Sequence, residues 1–182
     1  MTGTDGEAWR SRRVPAVPVA VVGASAQGES GGGRRPDPET PYRRAFDNAC
    51  GLAGEEAVQA FLAGLADVSP AMGHLVIDTV FGDLHGRPGL DAPERELLAL
   101  AVLATLGGAE DEIAMHLGIA QRIGIPPAKV VEAFVHISAY AGFPRALNAI
   151  KVAKRFYAES GLLPLPPIPE ASPAHPTERH ER

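Results

Sequence analysis

The chain has 182 residues, a formal net charge of -5 and a hydrophobic content of 45%, which is ordinary for a globular protein. The negative charge gives no electrostatic reason to expect binding to nucleic acid or to an acidic membrane. The single cysteine, Cys50, excludes an internal disulfide framework, a cysteine-based zinc site and a CxxC redox pair.

Proline and glycine concentrate at the two ends of the sequence. Residues 1–41 contain five of the 17 prolines and seven of the 20 glycines, and residues 164–182 contain six more prolines. Segments so poor in aromatic residues cannot bury enough apolar surface to offset the entropy of ordering the chain. We therefore expect disordered tails over 1–41 and 164–182, around one domain that covers 42–163.

Two patterns in the first tail imitate functional signals. Basic residues before the apolar stretch Val14–Val22 resemble the start of a secretory signal, but Pro15 and Pro18 interrupt that stretch. The segment Gly23–Ser30 nearly spells a phosphate-binding P-loop, but Glu29 stands where a lysine has to meet the phosphates. No stretch reaches the roughly 18 apolar residues of a membrane span. We expect a cytoplasmic protein that binds neither membrane nor nucleic acid.

The middle of the chain has helical spacing of apolar residues throughout, and no stretch alternates long enough for a strand. Proline at helix starts and glycine at helix ends set the boundaries. The expected helices are, in chain order, 41–50, 55–66, 70–81, the stretch between Asp91 and Gly107, 110–123, 126–141 and 144–160. The expected fold class is all-α, with about six or seven helices. We expect a loop at 82–89 and a buried helix over Leu97–Leu106.

Glu112 and His116 lie one turn apart on the helix expected over 110–123. His116 belongs to the apolar stripe of Ile113 and Leu117, so its imidazole points toward the core, and Glu112 lies on the same side. A carboxylate that fixes the tautomer of an imidazole can form a proton-transfer unit. A satisfied, partly buried histidine or a surface helix pair explains the same spacing, and the spacing alone leaves these alternatives open.

Other polar residues stand beside apolar surfaces. His136 and Tyr140 lie at the edge of an apolar stripe, where pockets between helices carry their polar groups. Glu96 begins the most apolar helix, so its carboxylate is expected to be partly desolvated, or to be neutralised by Arg95 or Arg87. No two histidines have a metal-ligand spacing, so we expect no metal site.

Four motifs are similar to those of a known family. They are Phe81–Asp91 (FGDLHGRPGLD), Arg95–Ala101 (RELLALA), Glu112–His116 (EIAMH) and His136–Pro144 (HISAYAGFP). In this order and at this spacing they resemble the landmarks of the carboxymuconolactone decarboxylase family, over about residues 55–156. The resemblance implies the all-α, alkylhydroperoxidase D-like helical bundle. It also implies a homo-oligomer, a trimer or a hexamer, with pockets near the subunit contacts.

The family that the motifs resemble has two chemical branches. Its peroxidase branch uses a CxxC pair before the histidine, whereas this chain has Ala109 and Glu112 at those positions, so disulfide-based peroxide reduction is not available. The decarboxylase branch implies a cofactor-independent lyase or isomerase that acts on a small carboxylated lactone, enone or ketone. Both the β-ketoadipate step and a step in a biosynthetic pathway fit this expectation. The alternatives are a non-catalytic oligomeric binding protein and a thiol peroxidase that uses Cys50.

The resemblance to the decarboxylase branch implies one set of catalytic residues and one set of substrate-binding residues. It implies neither a cofactor nor a metal ion. Such a site needs a cation for an anionic substrate, donors for the developing enolate oxygen and an acid that delivers a proton to carbon. The expected catalytic residues are His116 as the acid, Glu112, which orients it, and Glu96, which helps to shuttle the proton. The expected substrate-binding residues are Arg87 as the cation, with His85, His136 and Tyr140.

Overall fold

The computed structural model describes residues 40–166. In this range the chain forms seven α-helices, one π-helix and no strand, which confirms the all-α fold class. The tails expected over 1–41 and 164–182 lie almost entirely outside the described residues. The helices are α1 (Pro41–Ala53), α2 (Glu55–Leu65), α3 (Pro70–Val76), the π-helix (Ile77–Leu84), α4 (Ala92–Leu106), α5 (Glu110–Arg122), α6 (Pro127–Ala141) and α7 (Phe143–Glu159). Among them, none combines the length and the apolarity that crossing a bilayer requires.

Apolar side chains form two clusters. The larger cluster is built by α4, α5, α6 and α7, around the buried side chains of Leu100, Leu117 and Phe134. The smaller cluster joins α1, α2 and the π-helix, with Phe46 and Ile77 at its centre. Burial of each large side chain contributes roughly 1.5–3 kcal/mol. The larger cluster therefore holds α4 and α5 in fixed positions, together with the polar side chains on these two helices.

The start of α4 is fixed by a reciprocal cap. The backbone N–H of Glu94 donates to Asp91 Oδ1 at 2.8 Å, and the backbone N–H of Asp91 donates to Glu94 Oε2 at 2.9 Å. This capping box satisfies two N–H groups that the helix geometry leaves without partners. Because the cap sets where α4 begins, it also sets the positions of Arg95 and Glu96, which follow it directly.

The segment before α4 differs from the prediction. The α-helix expected over 70–81 changes at Ile77 to a π-helix that continues to Leu84, so the expected loop at 82–89 is wrong for residues 82–84. The backbone N–H of His85 donates to Val80 O at 2.9 Å, five residues back, which is the wider spacing of a π-helix. Gly82 permits close packing on α1, because a Cβ there would lie 3.0 Å from the Cβ of Ala45.

One face of α4 is exposed in the described chain, whereas the sequence predicts a buried helix over Leu97–Leu106. Leu98, Val102 and Leu106 are 53%, 56% and 63% exposed, and their spacing of four residues places them on one side of the helix. Leu100, on the other side, lies in the larger cluster. The described residues thus cover α4 on one side only, and we call Leu98, Val102 and Leu106 the α4 stripe.

Candidate active site

A short polar contact joins Glu96 of α4 to His116 of α5. Glu96 Oε1 lies 2.6 Å from His116 Nδ1. The side chain of Glu96 is 3% exposed and that of His116 is 21% exposed. When the carboxylate of Glu96 is ionised it only accepts hydrogen bonds, so Nδ1 then carries the hydrogen and Nε2 is the ring nitrogen left for other partners. The contact therefore forms a carboxylate–imidazole unit whose imidazole is still in contact with solvent.

The helices bring the two side chains together through their apolar faces. Glu96 lies one turn before Leu100, and both are buried on the inner face of α4. His116 precedes Leu117, which is fully buried in the larger cluster. A carboxylate in such surroundings is costly unless it is paired. The imidazole of His116 supplies the pairing.

Glu96, rather than Glu112, holds His116. Glu112 lies in the first turn of α5 and is exposed, and in the described range no hydrogen bond joins it to His116. Helical spacing compares residues of one helix only, so it could not show this contact. The imidazole of His116 turns inward and contacts a carboxylate of the adjacent helix. The sequence predicts that Arg95 or Arg87 neutralises Glu96. Among the described residues neither arginine forms an ion pair with Glu96, and His116 is its partner instead.

His85 lies at the end of the π-helix, near enough to Glu96, His116 and Arg95 for their charges to act on its imidazole. Its ring stacks on Phe81, with 5.5 Å between the ring centroids and 19° between the planes. Burial lowers the pKa of His85 below its ordinary value of 6.5, and the positive charge of Arg95 lowers it further. At neutral pH His85 is an uncharged imidazole, able to donate one hydrogen bond and accept another.

Two arginines lie next to this group in different ways. Arg87 is exposed, and its backbone carbonyl accepts a hydrogen bond from Arg95 Nη2 at 2.8 Å. Arg95 is partly buried, and its charge acts on His85. Sequence reasoning selected Arg87 as the functional cation and treated Arg95 only as a neighbour of Glu96. In the structure it is the charge of Arg95 that acts on His85.

His136 and Tyr140 form a separate pair on α6. Their ring centroids are 5.3 Å apart and their planes are tilted by 43°. Both side chains are exposed, Tyr140 to 81%. Within residues 40–166 no hydrogen bond or ring contact connects them to Glu96 or His116. The structure thus gathers Glu96, His116 and His85, and leaves the α6 pair and Glu112 outside this group.

The described part of the chain has no cluster of metal-ligating side chains, and its cysteine lies in a different cluster from Glu96 and His116. No three residues among its histidines, cysteines, aspartates and glutamates lie close enough together to hold a metal ion. Cys50 is half-buried on α1, against the smaller cluster. It is therefore part of a different cluster from the one that supports Glu96 and His116.

Comparison with known proteins gives the family. The profile of the carboxymuconolactone decarboxylase family matches residues 70–155, which include His85, Glu96 and His116. The 4-carboxymuconolactone decarboxylase of Acinetobacter baylyi is 30% identical over 126 residues, which cover 69% of this chain and 93% of that protein. The chain belongs to the carboxymuconolactone decarboxylase family. This confirms the resemblance drawn from the four motifs.

Two other relatives of this chain have a lower sequence identity. The nitrosuccinic acid decarboxylase of Metarhizium robertsii is 27% identical over 118 residues, which cover 63% of this chain and 82% of that protein. A 15.0 kDa protein of Paracoccus denitrificans is 26% identical over 116 residues, which cover 59% of this chain and 87% of that protein. Two relatives are therefore named for the decarboxylation of different small acids.

Proposed function

We propose that this protein is a cofactor-independent lyase that decarboxylates a small carboxylated lactone, enone or ketone and delivers a proton to the enolate carbon. The contact between Glu96 and His116 carries the proposal. An imidazole held by a carboxylate can exchange a proton near neutral pH. The decarboxylases among the relatives support the reaction class.

The proposed reaction uses the substrate carbonyl as the electron acceptor. The bond between the carboxylate carbon and its neighbour breaks, CO₂ leaves, and the bonding electrons move through the conjugated system to the carbonyl oxygen. The resulting enolate carbon then takes a proton from Nε2–H of the protonated His116. The imidazole recovers a proton from water, so each CO₂ released consumes one proton. A positioned general acid of this kind contributes about 10²–10⁴-fold to the rate.

Glu96 and His85 have different tasks in this proposal. Glu96 fixes His116 in the tautomer with hydrogen on Nδ1 and stabilises the charged ring before it gives up its proton. His85, uncharged at neutral pH, is the proposed donor to the enolate oxygen. Removal of one such donor in other enzymes lowers the rate by about 10²–10³-fold.

We also propose that the protein works as a homo-oligomer in which the α4 stripe lies between subunits. The three side chains of the stripe are large, apolar and more than half exposed. Contiguous apolar surface of this kind is typical of protein–protein contacts. A trimer or a hexamer stays the prediction from the family resemblance, and the cytoplasmic location stays the prediction from the sequence.

Incubation of the purified protein with carboxylated lactones and β-keto acids in deuterated buffer tests the proposal. We expect release of CO₂ and one deuterium on the enolate carbon that is protonated. If no compound of the panel shows either signal, a non-catalytic binding protein of the same fold becomes the better interpretation. Peroxide consumption that disappears in a Cys50→Ser variant would support the thiol peroxidase instead.

A further inference from the structure

A groove of about 750 Å³ lies between α1 and the π-helix. Its walls include Tyr42 and Arg44 of α1 and Asp78 and Asp83 of the π-helix, and none of the proposed active-site residues lines it. The side chain of Asn48 joins the two helices, because its Nδ2 donates to the backbone carbonyl of the π-helix residue Phe81 at 3.2 Å. The groove is therefore a second concave surface, separate from the Glu96–His116 contact.

Two exposed carboxylates of this groove have no basic partner within residues 40–166. Asp47, which also lines the groove, is held by Arg43 Nε at 2.9 Å, whereas Asp78 and Asp83 form no ion pair in this range. Asp78 and Asp83 are five residues apart, which is the hydrogen-bond spacing of a π-helix, so they lie on the same side of it. This side of the groove can therefore accept two positive charges.

An aromatic ring stands beside these carboxylates. The ring of Tyr42 stacks on that of His74, with 4.7 Å between the centroids and 14° between the planes. Burial raises the pKa of Tyr42, and the negative charge of Asp78 raises it further, so this carboxylate lies near the phenol. A guanidinium group can stack on an aromatic ring and donate two hydrogen bonds to a carboxylate, whereas an ammonium group lacks the planar shape for both. The groove thus suits arginine side chains.

The sequence that leads into α1 contains two arginines. Residues 34–39 read RRPDPE, beginning with Arg34 and Arg35. Thr40 is the N-cap of α1 and Pro41 lines the groove, so the chain enters α1 at the edge of the groove. Six extended residues span at most about 20 Å, whereas the two turns of α1 along the groove span only about 10 Å. Both arginines are therefore within reach of its far side.

We propose that Arg34 and Arg35 bind in the groove of their own chain, with their guanidinium groups on Asp78 and Asp83. The charges match at the other end as well. Residues 37 and 39 are acidic and lie closer to the N-terminus of α1, where the helix dipole and Arg44 favour negative charge.

The covalent connection makes this weak type of contact effective. An exposed ion pair contributes only about 0–1 kcal/mol when its partners come from separate molecules or distant segments. A segment that is attached a few residues away has an effective concentration on the order of millimolar, so small contributions suffice. The inference does not depend on the proposed function. It gives the last part of the tail expected over 1–41 a binding place, on the helix that ends at His85.

Limited digestion of the full-length protein with trypsin, followed by mass spectrometry, tests this proposal. Trypsin cleaves after arginine but not before proline, so the bond after Arg34 reports on the segment and the bond after Arg10 is an internal reference. The initial rate at Arg34 is divided by that at Arg10, and the ratio is compared with that of a synthetic peptide of residues 1–39. We expect the ratio in the protein to be lower by about threefold or more.

Variants of the groove separate binding from mere proximity to the folded domain. The double variant Asp78→Asn, Asp83→Asn should raise the ratio by about threefold or more, toward that of the peptide. Its matched control, Asp67→Asn with Asp111→Asn, removes the same charge from exposed positions outside the groove and should keep the wild-type ratio. If circular dichroism shows that the groove variant is unfolded, the single variant Asp83→Asn decides, and a wild-type ratio there contradicts the proposal.

Other results would also overturn the proposal. An unchanged ratio in a folded groove variant, or an equal rise in the control variant, would show that the groove carboxylates do not hold the segment. A wild-type ratio equal to that of the peptide would leave the groove to a separate cationic ligand. Protection that weakens on dilution of the protein at constant trypsin concentration would assign the groove to the segment of a second copy instead.

Discussion

Glu96 Oε1 and His116 Nδ1 lie 2.6 Å apart, and they belong to two helices that begin at separate caps. The carboxylate is buried, while the imidazole is partly exposed. The orientation of His116 thus depends on the packing of α4 against α5, and the position of the proposed proton donor is a property of the tertiary structure.

Replacement of each carboxylate separately tests which one holds His116. We expect Glu96→Gln to lower kcat for CO₂ release by about 10²-fold or more, because the imidazole loses the group that fixes its tautomer and stabilises its charge. Glu112→Gln should stay close to the wild-type kcat, since Glu112 is exposed. Steady-state kinetics of both variants on one substrate makes the comparison. A large loss in Glu112→Gln with a small one in Glu96→Gln would restore the interpretation from helical spacing.

The lowered pKa of His85 predicts the sign of one contribution to the pH dependence of stability. Because the folded state binds a proton at His85 less readily than the unfolded state, this contribution is fully present above pH 6.5. It decreases as the pH falls from 6.5 toward the lower pKa of the folded state. The charges of Arg95, Glu96 and His116 act on this imidazole, with Arg95 and His116 lowering its pKa and Glu96 raising it.

Urea denaturation at a series of pH values, with wild-type protein and His85→Gln, measures this contribution. The decrease in the free energy of unfolding just below pH 6.5 should be smaller in the variant, since glutamine does not titrate. An equal or larger decrease in His85→Gln would show that other groups dominate this range.

Neighbouring residues on α6 give a matched test of the core. Phe134 is fully buried, while Val135 is 46% exposed. We expect Phe134→Ala to lower the free energy of unfolding by about 3–5 kcal/mol, because it removes a large side chain and leaves a cavity in the larger cluster. Val135→Ala should cost less than about 1 kcal/mol. Chemical denaturation of both variants measures the two values, and similar costs would contradict the packing of α6.

The α4 stripe predicts that the protein assembles through α4. The double variant Leu98→Asp, Val102→Asp places two charges on the exposed side of the helix, so it should lower the molecular mass measured by light scattering without loss of helical circular dichroism. Glu110→Gln, an exposed change outside the stripe, serves as a control. A wild-type protein that is monomeric, or a double variant of unchanged mass, would contradict assembly through the stripe.

Helix positions could be predicted well from the sequence, because caps and periodicity are local signals. The cap at Asp91 and the helix of Pro127–Ala141 agree with the prediction. The π-helix could not be predicted in this way, since its wider hydrogen bonds depend on packing against α1. For the same reason, helical spacing paired His116 with Glu112, whereas the packing of α4 on α5 pairs it with Glu96.

Exposure could be predicted less well than helicity. The apolar run of Leu97–Leu106 predicts burial, but only one side of α4 meets the larger cluster. The decarboxylase resemblance also implies Arg87 as the substrate-binding cation. The hydrogen bond from Arg95 to Arg87 O and the effect of the Arg95 charge on His85 are three-dimensional properties.

The central claim, that His116 delivers the proton, is tested most directly by the rate of CO₂ release in a His116→Gln variant. Glutamine can donate an amide hydrogen to Glu96, so the buried carboxylate keeps a partner, but it cannot transfer a proton near neutral pH. We predict a loss in kcat of about 10²-fold or more, with wild-type helical circular dichroism. A folded His116→Gln protein that releases CO₂ at the wild-type rate would contradict the claim.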